Sequence, residues 1–519
     1  MGIKIDITPK DLKTLQTLLK QYLPNTVVWA FGSRVKFTAK PSSDLDLVAF
    51  ITNEQEMTFS LLKDAISESY LPFRVDLHNW YELPENFHKN IENSYVEIQS
   101  ETKSEMPNNW KKYRLGDFAE INPRVSLKQG NEYSFVEMKD LDAMLKYVSP
   151  SAKKELKGGS KFENGDTLFA RITPCLENGK ICQVKNLENN LGFGSTEFLV
   201  FRGKKDISDT DFVYYLTKTD YVKNNAIQMM TGSSGRQRVE KSALENLEIF
   251  APDLATQTQI AQILTTFDDK IELLEQMNKT LETIAQTIFK EWFVNFNFPG
   301  FDGELVEGLP KGWRKGKLGD VVEFMNGYAF KSNELLDNYS EDCYHIFKMG
   351  HIKKGGGLNI DGTKSYYKKN DATKLSKYIL QKGDLLMCMT DMKGNVALLG
   401  HTALMNESNK YIVNQRVGLL RVSNSLNIDY PYLFILTNYP EFITEIRSRA
   451  NSGVQVNLST GEIKNTEIVI PSKDINKEYD SIAKHIFEKI FSNIEQIRTL
   501  THLRDTLLPK LISGQCLKL

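Results

Sequence analysis

The chain alternates between brief apolar runs and two long stretches of helical period. Short runs bounded by Gly, Asp and Pro predict buried strands: VVWAF from Val27 to Phe31, TLFARIT after Gly165-Asp166, LLMCMT after Gly383-Asp384, LEIFAP ending at Pro252 and EIVIP ending at Pro471. In the first long stretch Ile271, Leu274, Asn278, Leu281, Ala285, Ile288 and Trp292 recur at alternating spacings of three and four. In the second, Ile486, Ile490, Asn493, Ile497, Leu500, Arg504, Leu507 and Leu511 do the same. That spacing is the seam of a coiled coil, and an Asn within each seam fixes register at some cost in stability. The pattern predicts two long helices paired antiparallel. From Ile260 to Trp292 is 32 residues, which at 1.5 Å rise is about 48 Å.

These elements come in the same order twice, over residues 108–298 and 311–515. Each copy opens on Trp, a basic cluster and Leu-Gly-Asp, as WKKYRLGDFAEIN from Trp110 and WRKGKLGDVVEFMNG from Trp313. A Gly-Asp turn and buried strand follow, then a helix start that we place at Asp211 in DFVYYLTKTDYV and at Asp429 in DYPYLFILTNYPEF. A polar Gly loop comes next, TGSSGRQRV from Thr231 to Val239 and NSGVQVNLS from Asn451 to Ser459. Each copy closes on its strand ending in Pro and then enters its long helix. A chain that repeats itself this way predicts two equivalent globular blocks on a helical strut. Two readers held about one turn of duplex apart would imply a split DNA site.

Composition narrows the classes further. The 519 residues hold 65 Lys+Arg against 66 Asp+Glu, 41% hydrophobic residues, five Cys and seven His. This is ordinary soluble composition at several domains' length. No apolar window reaches the length of a membrane span, and the N-terminus has no apolar segment of the secretory type, so the expected location is cytoplasmic. Cys175, Cys182, Cys343, Cys388 and Cys516 are scattered without a CxxC pair, which argues for packing residues and against a disulfide framework or structural zinc. Net charge is −4 over 1–107, +2 over 108–253, −6 over 254–308, +6 over 309–473 and +1 beyond. So mild a basic footprint implies that any nucleic-acid role is shared with a more basic partner.

The paired copies, with LFARITPCLENGKI (Leu168 to Ile181), GFGSTEFLVFR (Gly192 to Arg202), the TGSSGRQRV loop and the helix from Ile260 to Phe293, resemble the specificity subunit of type I restriction-modification systems. The resemblance covers roughly 400 residues. It implies two target-recognition domains reading the halves of a bipartite DNA sequence, with the helices setting the gap between them. It also implies a chain that is not itself catalytic and docks two methyltransferase subunits and motor-nuclease restriction subunits. The sequence agrees by what it lacks: there is no GxGxxG after a strand, no Asn-Pro-Pro-aromatic tetrapeptide and no GxxxxGK[ST]. S-adenosylmethionine would accordingly be bound by a partner. The polar Gly loops are the candidate DNA contacts. Arg236, Gln237 and Arg238 offer forks for guanine, adenine or phosphate, and Gln455 and Asn457 are amide readers. Arg171 and Thr173 beside the first Gly-Asp strand, and Asp391, Lys393, Asn414, Gln415 and Arg416 in the second copy, complete the candidate set.

Residues 1–100 stand outside the repeat. The strand Val27–Phe31 runs into Gly32-Ser33, ten further residues beginning with Arg34 lead to Asp44-Leu45-Asp46, and Asp76 follows in FRVDLHNW. Two Asp at i and i+2 share one face of a strand, and a third from a neighbouring strand completes a carboxylate set for Mg2+. The Gly-Ser turn offers backbone N–H groups to phosphates. The pattern resembles the minimal nucleotidyltransferases of the DNA polymerase β superfamily, including the antitoxin type that transfers nucleotide to a toxin partner. By that resemblance Gly32 and Ser33 hold the phosphates of ATP, Asp44, Asp46 and Asp76 bind Mg2+, and Asp76 activates the attacking group. The chain departs from that family where Val35-Lys36-Phe37 replaces the usual small residue.

The expected fold is therefore α+β. A small α/β nucleotidyltransferase-like domain (1–100) and a linker (101–109) precede two target-recognition domains (110–253 and 313–473). Spacer helices at 254–298 and 474–515 form the antiparallel coiled coil, with a linker at 299–312. The expected function is DNA-sequence specificity for a restriction-modification complex. The alternatives are an enzyme whose main activity is nucleotide transfer by the first 100 residues, and a scaffold without a DNA role.

Overall fold

The computed structural model describes residues 5–24, 26–40, 43–51, 55–69, 71–100, 110–233, 235–360, 362, 364–392, 396–423, 428–451 and 455–514. They form two compact units, residues 1–265 with 505–519, and residues 266–504. No helix among the described residues is long and apolar enough to cross a membrane.

The first unit begins with a small α/β domain. Helix α1 (Pro9–Tyr22) is started by Thr8, whose hydroxyl accepts from the Asp11 N–H at 3.1 Å, and by Pro in its first turn. Strands β1 (Val28–Phe31) and β2 (Leu45–Ala49), helix α2 (Glu56–Ser67), strand β3 (Val75–Asn79), helix α3 (Glu85–Glu92) and strand β4 (Tyr95–Gln99) follow. The sheet order is β3-β2-β1-β4, with β2 and β3 parallel and the other pairs antiparallel. Val28, Ala30, Leu45, Leu47 and Leu77 pack into one apolar core with Leu15, Leu19 and Leu62 of the helices. Strand alternation therefore sends Trp29, Phe31, Asp46, Asp76 and His78 to the opposite face. There Trp29 stacks on Tyr95 with ring centroids 3.9 Å apart. Gln99 closes the last strand and donates to the carbonyls of Leu23 and Thr26 at 2.7 and 2.9 Å. The linker expected at 101–109 lies outside the described residues.

The rest of this unit carries the first copy of the repeat. A five-stranded sheet runs Ala119–Ile121, Phe198–Gly203, Thr167–Ala170, Ile181–Val184 and Tyr147–Val148 in spatial order. A four-stranded sheet runs Ser160–Glu163, Leu191–Gly194, Glu132–Val136 and Ala152–Glu155. The helix Thr210–Lys218 is capped by Asp209, which accepts from the Phe212 N–H at 2.9 Å. Asp211, where the aromatic phrase placed the helix start, lies inside the first turn and instead binds Lys146 Nζ at 3.1 Å. Lys146 is fully buried, also reaches Thr265 Oγ1 at 2.7 Å, and sits within 5.0–5.6 Å of the ring centres of Tyr147, Tyr214 and Tyr215. Ile260, Ala261 and Leu264 of the first long helix join Leu511 and Ile512 of the second in the same core as Phe212, Val213 and Leu244.

The second unit carries the second copy. Its main sheet runs Val322–Asn326, Val417–Val422, Leu385–Cys388 and Thr402–Leu404, the same order as the corresponding four strands of the first copy. Tyr366–Lys368, Cys343–Phe347 and Tyr411–Val413 form a second sheet. One ion pair marks the equivalence. In the first unit buried Asp166, after its Gly turn, takes Arg202 through both oxygens at 2.6 and 2.7 Å. Here Asp384, after its own Gly turn, takes Arg421 at 3.0 and 3.1 Å. Both aspartates also accept a backbone N–H three residues upstream, from Glu163 and Gln381, which closes the turn.

The two long helices are Leu254–Phe293 and Lys473–Ile512, 40 residues each. Within the second unit their seam is packed: Ala285, Phe289 and Trp292 share a core with Tyr479, Phe487 and Ile490. Asn278 and Asn493 are hydrogen-bonded at 2.8 Å, and Arg504 meets Asp268 at 2.6 Å. The first helix stops at Phe293, where the N–H groups of Val294 and Asn295 both return to the Lys290 carbonyl. Glu291 then accepts from the Asn295 and Asn297 amides at 2.9 and 2.7 Å. The segment 299–312, expected as a linker, contains a small hairpin, Leu305–Val306 against Leu309–Pro310.

Candidate functional site

The N-terminal candidate site is built by strand register. Phe31 opposes Asp46 across the antiparallel β1–β2 pair, and Asp46 lies beside Asp76 across the parallel β2–β3 pair. Asp44 precedes β2 by one residue and shares the face of Asp46. Gly32 has φ +81°, and a Cβ there would fall well inside contact distance of the Asp46 carboxylate. Only glycine serves both the turn and that approach. The turn is pinned by Arg34, a role that the sequence did not reveal. Its guanidinium donates to the Ser43 carbonyl at 2.7 and 3.1 Å and to the Asp6 carbonyl at 2.9 Å, and it lies 4.3 Å from the centre of the Phe73 ring. The Ser33 carbonyl accepts from the Thr38 N–H at 3.0 Å. Phe37, in the stretch where a small residue was expected, has φ +55° and an exposed ring.

Burial and then the neighbouring Asp76 raise the Asp46 carboxyl above the usual carboxylate range, Asp44 adding to the effect and His78 opposing it. Arg74 Nε approaches Asp76 at 3.1 Å. Among the described residues no group of three His, Cys, Asp or Glu side chains is placed to hold a metal ion. The Asp46 and Asp76 pair, adjacent in register, fits a hard cation that keeps waters and takes substrate phosphates as its remaining ligands, which is how Mg2+ is usually held.

In the first copy of the repeat the structure brings Arg171, Thr173, Gln237 and Arg238 together. Thr231 and Arg238 exchange both backbone hydrogen bonds at 2.9 Å, which closes the loop into a small hairpin. Thr173 binds Gln237 through its N–H to the Gln237 carbonyl and its Oγ1 to the Gln237 N–H, both at 3.1 Å. Arg238 clamps Glu197 with Nε at 2.9 Å and Nη2 at 2.7 Å, and that clamp holds the Glu197 carboxyl below its usual range. Arg171 pairs with Glu240 at 2.9 Å. Arg236 is exposed and has no side-chain partner among the described residues.

In the second copy the strand Gln455–Asn457 pairs antiparallel with Thr390–Met392, so that Gln455 opposes Met392 and Asn457 opposes Thr390. Gln455 and Asn457 are exposed on one face with Val456 buried between them. Asp391 accepts from the N–H groups of Leu398 and Leu399 at 2.7 and 3.3 Å and of Met392 at 2.9 Å, so its carboxylate shapes a loop. The Asn414 side chain accepts from the Arg416 N–H at 3.4 Å, leaving Gln415 and Arg416 exposed on a turn between strands. Lys393 lies outside the described residues.

A family model described as the type I restriction modification DNA specificity domain matches residues 107–283 and 310–502, once on each copy of the repeat. The chain belongs to that family. A specificity subunit of the MjaIX type I restriction enzyme from Methanocaldococcus jannaschii is 27% identical over 448 residues, spanning 81% of this chain and 96% of its own. The HindI specificity subunit from Haemophilus influenzae is 26% identical, over 78% of this chain and 99% of its own. This specificity subunit carries a second family at its N-terminus. A polymerase β nucleotidyltransferase model matches residues 13–104. A probable protein adenylyltransferase, MntA of Haemophilus influenzae, is 45% identical over 104 residues, 20% of this chain and 90% of its own. Nucleotide and metal use is thereby indicated for this domain.

Proposed function

We propose that the chain reads a bipartite DNA sequence through its two recognition domains and directs methyltransferase and restriction subunits to it. The observation that carries this reading is the duplicated domain, strand for strand and down to the Asp166–Arg202 and Asp384–Arg421 pairs, with one family match on each copy. Two like readers in one chain call for two half-sites. Exposed Arg236 and half-buried Gln237 in the first domain, and exposed Gln415, Arg416, Gln455 and Asn457 in the second, are the base and phosphate contacts. Arg171, Thr173 and Arg238 hold the first loop in shape. The domain limits follow the repeat, 110–253 and 313–473, and Lys393 keeps its place as a contact by position alone.

Two methyltransferase subunits supply S-adenosylmethionine chemistry, motor-nuclease subunits supply cleavage, and the complex works in the cytoplasm. A methylome of cells carrying the partner methyltransferase, with and without this chain, tests the reading. A split motif that depends on the chain is expected, and its absence from a complex shown to be assembled would overturn it.

The N-terminal domain supports a second activity, transfer of a nucleotide from ATP with Mg2+ held by Asp44, Asp46 and Asp76. When bound, the metal would neutralise the phosphates and the departing pyrophosphate. Gly32 and Ser33 would position those phosphates by their backbone N–H groups, and Asp76 would accept the proton of the attacking hydroxyl. The replacement of Asp44 and Asp46 by Ala is expected to abolish transfer of label from ATP and to leave methylation unchanged.

A further inference from the structure

We propose that a basic cavity in the second unit, between the sheet carrying His345 and the long helix carrying Arg498, binds a phosphoryl group. The cavity has a volume of about 190 Å3. At about 30 Å3 for each water of the liquid, that is room for roughly six waters, more than one phosphate displaces. Its charged or titratable wall among the described residues is His345, His351, Lys364, Lys410 and Arg498, with the hydroxyl-bearing Ser365 and Tyr411 between them and no carboxylate in that set.

The counter-charges stand behind this wall. Glu407 takes Arg498 Nη2 at 2.6 Å and Lys410 Nζ at 3.1 Å, and Glu495 takes Arg498 Nη1 at 3.2 Å. Those two carboxylates fix the directions of Arg498 and Lys410 and neutralise part of their charge. Among the described residues Lys364 has no acidic partner, and it is exposed at the rim.

The two imidazoles add donors. The His351 Nδ1 lies 3.1 Å from the Lys348 N–H and 3.2 Å from the Lys348 carbonyl, so backbone contacts on that side fix the ring. Gly362 closes the wall, because a Cβ there would lie 2.6 Å from the His351 ring, so only bare backbone fits. His345 is wedged among Tyr339, Tyr366 and Tyr411 at centroid distances of 5.0–5.2 Å. Burial, followed by the Lys410 charge, holds the His345 ring below the usual histidine range despite Glu407, with His351 and Arg498 acting in the same sense. Burial and the neighbouring cations disfavour the charged form of His345, and an anion in the cavity would favour it.

The segment leading to the cavity has the same bias. Residues 348–369 contain six Lys and a single Asp. A phosphoryl group is the anion that suits several donors of different directions, since it offers three oxygens. It would come either free, as inorganic phosphate or a nucleotide, or as part of a duplex backbone.

The test uses the full chain with Lys364→Gln and the charge-keeping Lys364→Arg, since Lys364 is exposed and its replacement leaves the core untouched. Calorimetry with inorganic phosphate, and binding of an unrelated DNA duplex over a salt series, separate the two sources. A free-phosphate site predicts saturable binding that weakens roughly tenfold or more in Lys364→Gln and returns in Lys364→Arg. A backbone site predicts no phosphate binding, but a log–log salt dependence of duplex affinity shallower by about one in Lys364→Gln alone. Phosphate binding absent or equal in all three proteins, together with an unchanged salt slope, would overturn the proposal.

Discussion

Asn493 donates its side-chain amide to the Asn278 carbonyl oxygen at 2.8 Å, joining the two long helices through residues 215 positions apart. Asn493 is fully buried. Three steps along the seam, Arg504 meets Asp268 at 2.6 Å. Going from Asp268 to Asn278 advances ten residues on one helix, while going from Arg504 to Asn493 retreats eleven on the other. That relation defines an antiparallel register, and each polar contact penalises a slip, because a shifted helix would leave a buried amide or charge facing leucine. Asn278→Ala is therefore expected to cost about 1–3 kcal/mol by stranding Asn493. The double replacement of both Asn by Leu is expected to recover or exceed the original stability. Urea unfolding followed by helix circular dichroism checks both, and a double variant no more stable than the single would count against the pairing.

The Arg504–Asp268 contact is nearly inaccessible to water, with side-chain exposures of 9% and 2%. Removing one partner leaves a buried charge. Arg504→Met is expected to destabilise by about 3–5 kcal/mol, whereas the pair Arg504→Met with Asp268→Leu should lose far less. The comparison is read from the midpoints of the same unfolding transitions.

A third prediction concerns pH. Asp480 is buried near the start of the second long helix, beside Asp429 and its partner Lys484, and one of its oxygens makes no hydrogen bond. Burial, then the Asp429 charge, pushes its carboxyl up to about 7, against the relief from Lys484. Between the ordinary value of 3.8 and about 7 the folded chain keeps a proton that the unfolded chain has lost. Stability from this group therefore falls as pH rises through that window and is level above it. The full difference is on the order of 4 kcal/mol. Asp480→Asn is expected to raise the melting temperature at pH 8 and to change it little at pH 4. Equal shifts at both pH values would show that Asp480 does not carry this linkage.

Much of this architecture was legible because repetition is visible without coordinates. The seam residues, the Gly-Asp turns and the closing strands each appear twice, and one copy interprets the other. The helix starts at Thr210, one residue before Asp211, because an aromatic phrase signals a buried face while the cap belongs to Asp209, whose side chain reaches the Phe212 N–H. The site was less legible. Sequence marks Arg171, Arg236 and Arg238 alike, but partners separate them: Glu240 and Glu197 lie at positions whose meaning appears only when strands fold together. The role of Arg34 depends on carbonyls of residues 6 and 43, which no local pattern announces. The basic cavity was invisible for the same reason, since His345, Lys410 and Arg498 are far apart along the chain.

The last prediction separates readers from supports in the first recognition loop. Arg236 is exposed and without a side-chain partner among the described residues, so its charge is available to DNA. Arg238 is engaged three times by Glu197, and its backbone closes the loop on Thr231. If Arg236 contacts a phosphate, Arg236→Ala weakens all duplexes alike and lowers the salt slope by about one. If it reads a guanine edge, the loss of about 1–3 kcal/mol falls on one base pair of the half-site. Arg238→Ala acts differently, freeing Glu197 and relaxing the loop, and Glu197→Gln should reproduce much of its effect although it removes no positive charge. Binding to a library of half-site variants at two salt concentrations distinguishes these outcomes. Arg238→Ala and Glu197→Gln with opposite effects on affinity would show that Arg238 touches DNA rather than holding the loop.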